Sequence, residues 1–423
     1  MSPAFSHRYS CVCCAAPQPW GGIRYRCNIC GQNLRIERLL DAQSPRGEDI
    51  VRTFHGRGMW RYASLLPVEP SWGSRLAVGD TPLIDCGDDE GVHLQVKDEA
   101  RNPSGSLKDR ATEMVLAAAR FAGCTQTIAA STGNAGASLA CIAASQRMPA
   151  TVIVPAGTPP AKLAQIHAYG AKVVEIDGSY DDAFEIAERI SADVDVCCRN
   201  TGINPFTREG KKTCAFEIAE AFEWCVPDWV VVPTGDGNIL SGIAAGFFDL
   251  FSLGITCAMP RLLAAQAVTS DSITRDWESG ADRTGTLAFP ASPAVVRPET
   301  VADSLSVSRP RDHLAALQAL RATQGACVAV DDGAIMEASC VLARRFGLWF
   351  EPSTATGYAA LRESLVSGRI RAGETVVLLG TGSGLKSPNA FDGAMSCAPQ
   401  RFTERSPQPA PGVYHQGLEE RRR

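Results

Sequence analysis

No apolar stretch in this chain of 423 residues approaches the roughly 20 residues that a helix needs to cross a bilayer. The first residues, Met-Ser-Pro-Ala-Phe-Ser-His-Arg-Tyr, lack the hydrophobic core of a secretion signal, so the cytoplasm is the expected compartment. Basic charge is not in excess either. Lys and Arg number 41 against 46 Asp and Glu, a net charge of −5, which gives no basis for a nucleic-acid or anionic-membrane partner. No internal repeat is present, and no Gly-x-Gly-x-x-Gly follows a strand, so a dinucleotide fingerprint is absent. What remains is an ordinary globular composition, 45% apolar and 21% charged, on a chain long enough for two to three domains.

Cysteine is plentiful, at 16 residues, but a long chain without a secretion signal is a poor setting for a disulfide framework. Cys124, Cys141, Cys214, Cys257 and Cys340 lie in apolar or helical contexts and read as small buried hydrophobes. Cys11, Cys14, Cys27 and Cys30 differ. They form two Cys-x-x-Cys pairs, the second followed by Gly31, and two such turns make a tetrahedral zinc ribbon. The intervening segment is shorter than the usual ribbon spacing, and Cys13 is an extra candidate ligand. A ribbon that has lost its metal is the alternative.

From about Val78 to Pro388, short β-branched runs alternate with Ala-rich amphipathic segments. The runs are Val152-Ile-Val154, Val173-Val174, Val230-Val-Val232, Val328-Ala-Val330 and Val376-Val-Leu-Leu379. This is the pattern of a parallel sheet covered by helices, an α/β fold. The last stretch, 396–423, has Pro, Gln and Arg without hydrophobic period and reads as disordered.

Four segments carry chemistry. Glu99-Ala-Arg-Asn-Pro-Ser-Gly-Ser-Leu-Lys-Asp-Arg110 sets Lys108 where a Pro- and Gly-containing loop enters a helix, so its amine can face a cleft. Ser131-Thr-Gly-Asn134 offers hydroxyls, backbone amides and a side-chain amide at a helix entry, suited either to a carboxylate or to capping that helix. Thr234-Gly-Asp-Gly-Asn238 joins a strand to a helix and suits a phosphate, or is simply a tight turn. Asp236 opposes an anion there unless its side chain turns away. Leu378-Leu-Gly-Thr-Gly-Ser-Gly-Leu-Lys386 is a third such turn, presenting Thr381 and Ser383.

In this order the four segments resemble the fold-type-II pyridoxal phosphate (PLP) enzymes, a tryptophan synthase β-like fold, and specifically the threonine synthase family. Trp60-Arg-Tyr62, Leu66-Pro67, Gly79-Asp-Thr-Pro-Leu83, Lys97-Asp-Glu99, Gly210-Lys-Lys-Thr213, Thr300-Val-Ala-Asp-Ser304, Glu351-Pro-Ser353 and Gly384-Leu-Lys386 look like that family too. So does a cysteine ribbon ahead of the core. The resemblance spans roughly residues 10 to 390. It implies two open α/β domains, a large one from 51–120 and 205–395 and a smaller one from 121–204, behind a zinc-ribbon-like segment at 1–50. It also implies a small amino-acid substrate and a homodimer.

Residue by residue, the resemblance makes Lys108 the Schiff-base lysine and proton shuttle. Asn134 bonds the cofactor's phenolic oxygen. Ser131, Thr132 and Gly133 hold the substrate α-carboxylate. Gly235, Asp236, Gly237 and Asn238 match the cofactor-phosphate loop, and Thr381 faces the pyridine nitrogen. The implied reaction converts O-phospho-L-homoserine and water to L-threonine and phosphate.

The chain departs from the family where the substrate phosphate binds. Ala135 stands where Thr is common, Thr201-Gly202-Ile203 replaces an Asn-Ser pattern before Asn204-Pro205, and Thr207 occupies the matching Arg position. Arg208, one residue on, serves if the chain shifts locally. Otherwise the expectation moves to β-elimination or β-replacement on serine, phosphoserine or a related amino acid, as in a dehydratase or cysteate synthase.

Overall fold

The computed structural model describes residues 5–41, 43–192, 195–280 and 299–391. The expected disordered stretch at 396–423 lies outside the described residues.

A small antiparallel sheet opens the chain. It consists of β1 (Ser6–Cys11), β2 (Pro17–Gln18) and β3 (Leu34–Leu39), in the order β2-β1-β3. The next strands, β4 (Leu83–Asp89) and β5 (Val92–Asp98), form an antiparallel pair. Then β6 (Gln126–Ala130), β7 (Ala150–Pro155), β8 (Lys172–Ile176) and β9 (Val196–Cys198) build a parallel sheet ordered β8-β7-β6-β9. The chain returns to β4 and β5 through β10 (Trp229–Pro233), β11 (Arg261–Ala267), β12 (Ala326–Val330) and β13 (Thr375–Gly380). The resulting six-stranded sheet runs β12-β11-β10-β13-β5-β4, parallel except at β4.

Each valine-rich run of the sequence lies in one of these strands, because strands covered on both faces need apolar side chains at successive positions. In β10, Val230 and Val232 join one buried cluster while Val231 joins another on the opposite face. Burying one such side chain contributes roughly 1.5–3 kcal/mol, enough to fix the register of the strand.

Five helices position the site: α1 (Lys108–Phe121), α2 (Asn134–Gln146), α3 (Phe206–Ala221), α4 (Asn238–Ser252) and α5 (Pro352–Val366). α1 and α3 touch backbone to backbone. A Cβ placed on Gly210 would fall 1.9 Å from the Arg110 carbonyl oxygen, so only glycine fits. Beside this contact Arg110 pairs with Glu99 at 2.7 Å and with Glu217 at 2.6 Å, all three buried. Removing either carboxylate would leave buried charge uncompensated.

Among the described residues no helix is long and apolar enough to cross a membrane. Cys141 and Cys214 are buried as expected, whereas Cys124 and Cys340 are half-buried and Cys257 is exposed. Cys257 falls in the turn before β11, where the chain is at the surface.

Candidate active site

The loops that follow β6, β10 and β13 converge with the entry of α1 on one cavity of about 840 Å³. Carboxyl ends of parallel strands and helix N-termini commonly frame the ligand crevice of open α/β sheets. Lys108, Ser131, Thr132, Gly133, Asn134, Gly235, Asp236, Gly237, Asn238 and Thr381 all line it.

Lys108 is the first residue of α1. Its entry loop is stitched to the Thr381 turn: Leu107 N–H donates to the Thr381 carbonyl at 3.0 Å, and Ser106 forms a β-bridge with Gly382. The amine is pushed down to about 8, first by burial and next by the charge of Arg199, with Asp236 and Glu351 opposing. A lysine so placed is an amine nucleophile near neutral pH.

Residues 131–133 connect β6 to α2. The Gly133 N–H donates to Ser131 Oγ at 3.2 Å, and no side chain caps α2. Asn134 donates to Glu351 Oε2 at 2.8 Å. Thr381 donates to the other Glu351 oxygen at 3.2 Å, and its backbone N–H bonds Thr354 Oγ1 at 2.9 Å. Glu351 is therefore the buried acceptor shared by the two side chains expected at the phenolic oxygen and the pyridine nitrogen of a cofactor ring. Burial raises its carboxyl pKa, while the Asn134 hydrogen bond and Lys108 work against the rise.

The 235–238 loop precedes α4. Gly237 has φ of 85°, a left-handed turn that glycine adopts without strain, and a Cβ there would lie 2.7 Å from the Ala316 side chain. The Asp236 carboxylate accepts the Arg311 N–H at 3.0 Å, and burial raises its pKa. Asn238 donates to Asp312 at 2.9 Å and accepts from the Lys211 amine.

Arg208, the sequence candidate for the substrate phosphate, is not among the residues lining the cavity. Its guanidinium grips Asp312 through Nε at 3.0 Å and Nη2 at 2.8 Å, and both residues are buried. Successive residues of a helix point about 100° apart, so the side chain after Thr207 leaves on another face of α3. Thr207 is buried and donates to the Asn204 carbonyl at 2.6 Å.

Glu351, Lys211, Thr201 and Arg311 line the cavity without having been singled out as site residues. Glu351 and Lys211 sit in Glu351-Pro-Ser353 and Gly210-Lys-Lys-Thr213, two segments whose family likeness was the available signal.

The four ribbon cysteines stand apart from the cavity. Their sulfurs all lie within 4.8 Å of one another. Cys11 and Cys30 approach to 3.4 Å, Cys14 and Cys27 to 3.7 Å, and Cys30 and Cys14 to 3.6 Å. Four thiolates about 2.3 Å from a tetrahedral zinc ion would be spaced by ~3.8 Å. The N–H groups of Cys13 and Cys14 point at Cys11 Sγ, and that of Ile29 at Cys27 Sγ, an arrangement that suits thiolate acceptors. Cys13 is outside the set.

A perturbed lysine at a helix entry, a glycine loop feeding a second helix and a hydroxyl at the end of a central strand fit one cofactor. The chain belongs to the pyridoxal-phosphate dependent enzymes, whose family pattern matches residues 74–382. Within that family it is threonine synthase-like. It is 35% identical over 388 residues to the threonine synthase of Methanocaldococcus jannaschii, covering 90% of this chain and 93% of the relative. It is 34% identical over 387 residues to that of Methanosarcina acetivorans, with the same coverage of 90% and 93%. The processed form of threonine deaminase isoform 2 from Solanum lycopersicum shares the fold, with a TM-score of 0.62 at 19% identity, covering 84% of this chain and 96% of that one. The chain is an enzyme, a PLP-dependent lyase, and pyridoxal phosphate is its cofactor.

Proposed function

We propose that the enzyme converts O-phospho-L-homoserine and water to L-threonine and phosphate. The observation that carries this reading is the meeting of Lys108, Asn134, Thr381 and the 235–238 loop on one cavity, in a chain whose curated relatives are threonine synthases. Bound there, pyridoxal phosphate supplies an electron sink that acidifies the substrate Cα–H. The 235–238 amides and the N-terminus of α4 would hold its phosphate, with Asn134 and Thr381 at its ring. The amides and hydroxyls of residues 131–133 orient the substrate carboxylate. The Lys108 amine takes the proton from Cα and serves the later transfers, as a second proton leaves Cβ, phosphate leaves Cγ and water adds at Cβ. Its lowered pKa keeps a fraction of the amine neutral near pH 7.

A second reading is favoured by one observation: Arg208 faces Asp312 rather than the cavity. With Ala135 and Thr207 both neutral, the enzyme would then act by β-elimination or β-replacement on serine, phosphoserine or a related amino acid. Product analysis on the purified yellow protein separates the readings. Threonine and phosphate from phosphohomoserine establish the first. Pyruvate, 2-oxobutanoate or a β-substituted amino acid, with no phosphate from phosphohomoserine, replaces it with the second.

The sulfur spacing of Cys11, Cys14, Cys27 and Cys30 supports zinc as a structural metal of the N-terminal ribbon.

A further inference from the structure

Six Lys and Arg side chains are buried among the described residues: Lys97, Arg110, Arg199, Arg208, Lys211 and Lys212. Four have carboxylate partners. Lys97 meets Glu217 at 2.7 Å, Arg110 meets Glu99 and Glu217, Arg208 meets Asp312 at 2.8 Å, and Lys212 meets Glu209 at 2.8 Å. Lys211 and Arg199 have none among the described residues. Lys211 bonds the side-chain oxygen of Asn238, which places it with the cofactor-phosphate loop. Arg199 follows β9 directly, is fully buried and is not among the residues lining the cavity. An unpaired buried charge lowers stability, and costs of this kind persist where function uses them.

The Arg199 guanidinium is spent on the start of α1. Its Nη2 reaches toward the Lys108 carbonyl at 3.4 Å, and its Nε donates to Thr112 Oγ1 at 3.0 Å. The Thr112 hydroxyl donates to the same Lys108 carbonyl at 3.0 Å and accepts from Ser138 at 2.6 Å. The remaining arm, Nη1, bonds Thr201 Oγ1 at 2.6 Å, and Thr201 lines the cavity. One planar fork thus grips Lys108, the residue one turn beyond it and the cavity wall. We propose that Arg199 is a positioning residue for Lys108, fixing the first turn of α1 and setting an uncompensated positive charge behind the amine. This rests on the reading of Lys108 as the reacting lysine and holds for either substrate class.

Four charged side chains act on the Lys108 amine from the elements around it. Arg199 after β9 and Lys211 in α3 oppose its protonation, while Asp236 in the 235–238 loop and Glu351 before α5 favour it. Three of the four are weakened by burial. Asp236 and Glu351 have raised carboxyl pKa values, and Lys211 is held well below its ordinary value by burial, then by Lys108 and Arg199. Burial brings Arg199 down only to about 10, so it stays charged at neutral pH. After burial, it is the largest influence holding the Lys108 amine near 8.

The test is the rate at which the full chain, stripped of cofactor, recaptures pyridoxal phosphate, followed by absorbance across about pH 6 to 9.5. In wild type the rate should climb with pH around a midpoint of about 8, as the neutral amine forms. Arg199→Met is expected to raise the midpoint by roughly one pH unit and to slow recapture at pH 7 about tenfold. Its melting temperature should be no lower than that of wild type, because an unpaired buried charge has gone. Arg199→Lys keeps the charge and returns the midpoint toward the wild-type value. Arg199→Gln, neutral but still able to hydrogen-bond, shifts the midpoint as Met does and carries the test if Arg199→Met does not fold. An unmoved midpoint in the neutral variants overturns the proposal, as does a shift that Arg199→Lys fails to restore. Recapture that falls equally at every pH, together with a lower melting temperature, also overturns it, since that is the pattern of a purely structural role. A wild-type chain that takes up no pyridoxal phosphate rejects Lys108 as the reacting lysine and the proposal with it. An unmoved midpoint in chains that do take it up rejects the proposal alone.

Discussion

Asn134 donates to the buried carboxylate of Glu351 at 2.8 Å, a contact that ties the first residue of α2 to the residue before α5 across 217 residues of sequence. Thr381 uses the other oxygen of the same carboxylate. Glu351→Ala would take from the Asn134 amide its short hydrogen bond and from the Thr381 hydroxyl one of its two partners, at a cost of about 1–3 kcal/mol. The expected result is a lower melting temperature and a drop in turnover, with Glu351→Gln milder on both counts. Thermal unfolding and steady-state rates check this together. An alanine variant with wild-type values would remove Glu351 from the site.

Lys108 makes the stability of the cofactor-free protein depend on pH. Its ordinary value of 10.5 is depressed to about 8 in the fold, mainly by burial. Below pH 8 both folded and unfolded chains hold the proton, so the cost of the buried charge is fully present. Between about 8 and 10.5 the folded chain has released it while the unfolded chain has not, and stability rises with pH. Lys108→Met should be more stable than wild type at pH 7, with the gap closing as pH rises through this window. Denaturant titrations across pH 7–10.5 measure it; a constant gap would contradict the burial of this amine.

Arg208→Met leaves the Asp312 carboxylate without its cation, although Asn238 and Ser241 still donate to it. Breaking a buried pair typically costs about 3–5 kcal/mol. Stability should fall accordingly, and PLP affinity with it because Asn238 loses a fixed partner. Pairing the change with Asp312→Asn should recover part of the loss. A selective rise in KM at an unchanged melting temperature would instead place Arg208 against the substrate.

Metal analysis should find one zinc per chain, lost on Cys27→Ser. Asn33, next to the second cysteine turn, donates to the carbonyls of Gly202 and Arg311, so metal loss should loosen those segments as well as the ribbon. Hydrogen exchange with and without chelator is the measurement. Unchanged protection at 200–204 and 309–313 after zinc removal would break that link.

The residues legible in the sequence are those whose role is local. Val230-Val-Val232 announces a strand covered on both faces, because burial dictates every position. Lys108, Asn134 and Thr381 stand at loop–helix or strand–turn junctions, which composition alone marks. Glu351 and Lys211 were not legible as site residues. A Glu before Pro352 reads as a helix start, and a lysine in Gly210-Lys-Lys-Thr213 reads as a solvated helix face. Their surroundings come from strands and loops far away in the chain. Where the Arg208 side chain goes was not legible for a geometric reason: one residue along a helix is a different direction, and there it meets Asp312 instead of lining the cavity.

The Asn33 contacts also set an order of events during synthesis. Its partners at Gly202 and Arg311 follow it by 169 and 278 residues. At ribosomal speeds of about 5–20 residues per second, the second arrives roughly 14 to 56 s after Asn33 itself. The ribbon is thus made well before the segments that seat it. Until Gly202 emerges, the Asn33 amide has only water and its own neighbours to bond, and until Arg311 follows, the N-terminal segment is only half docked.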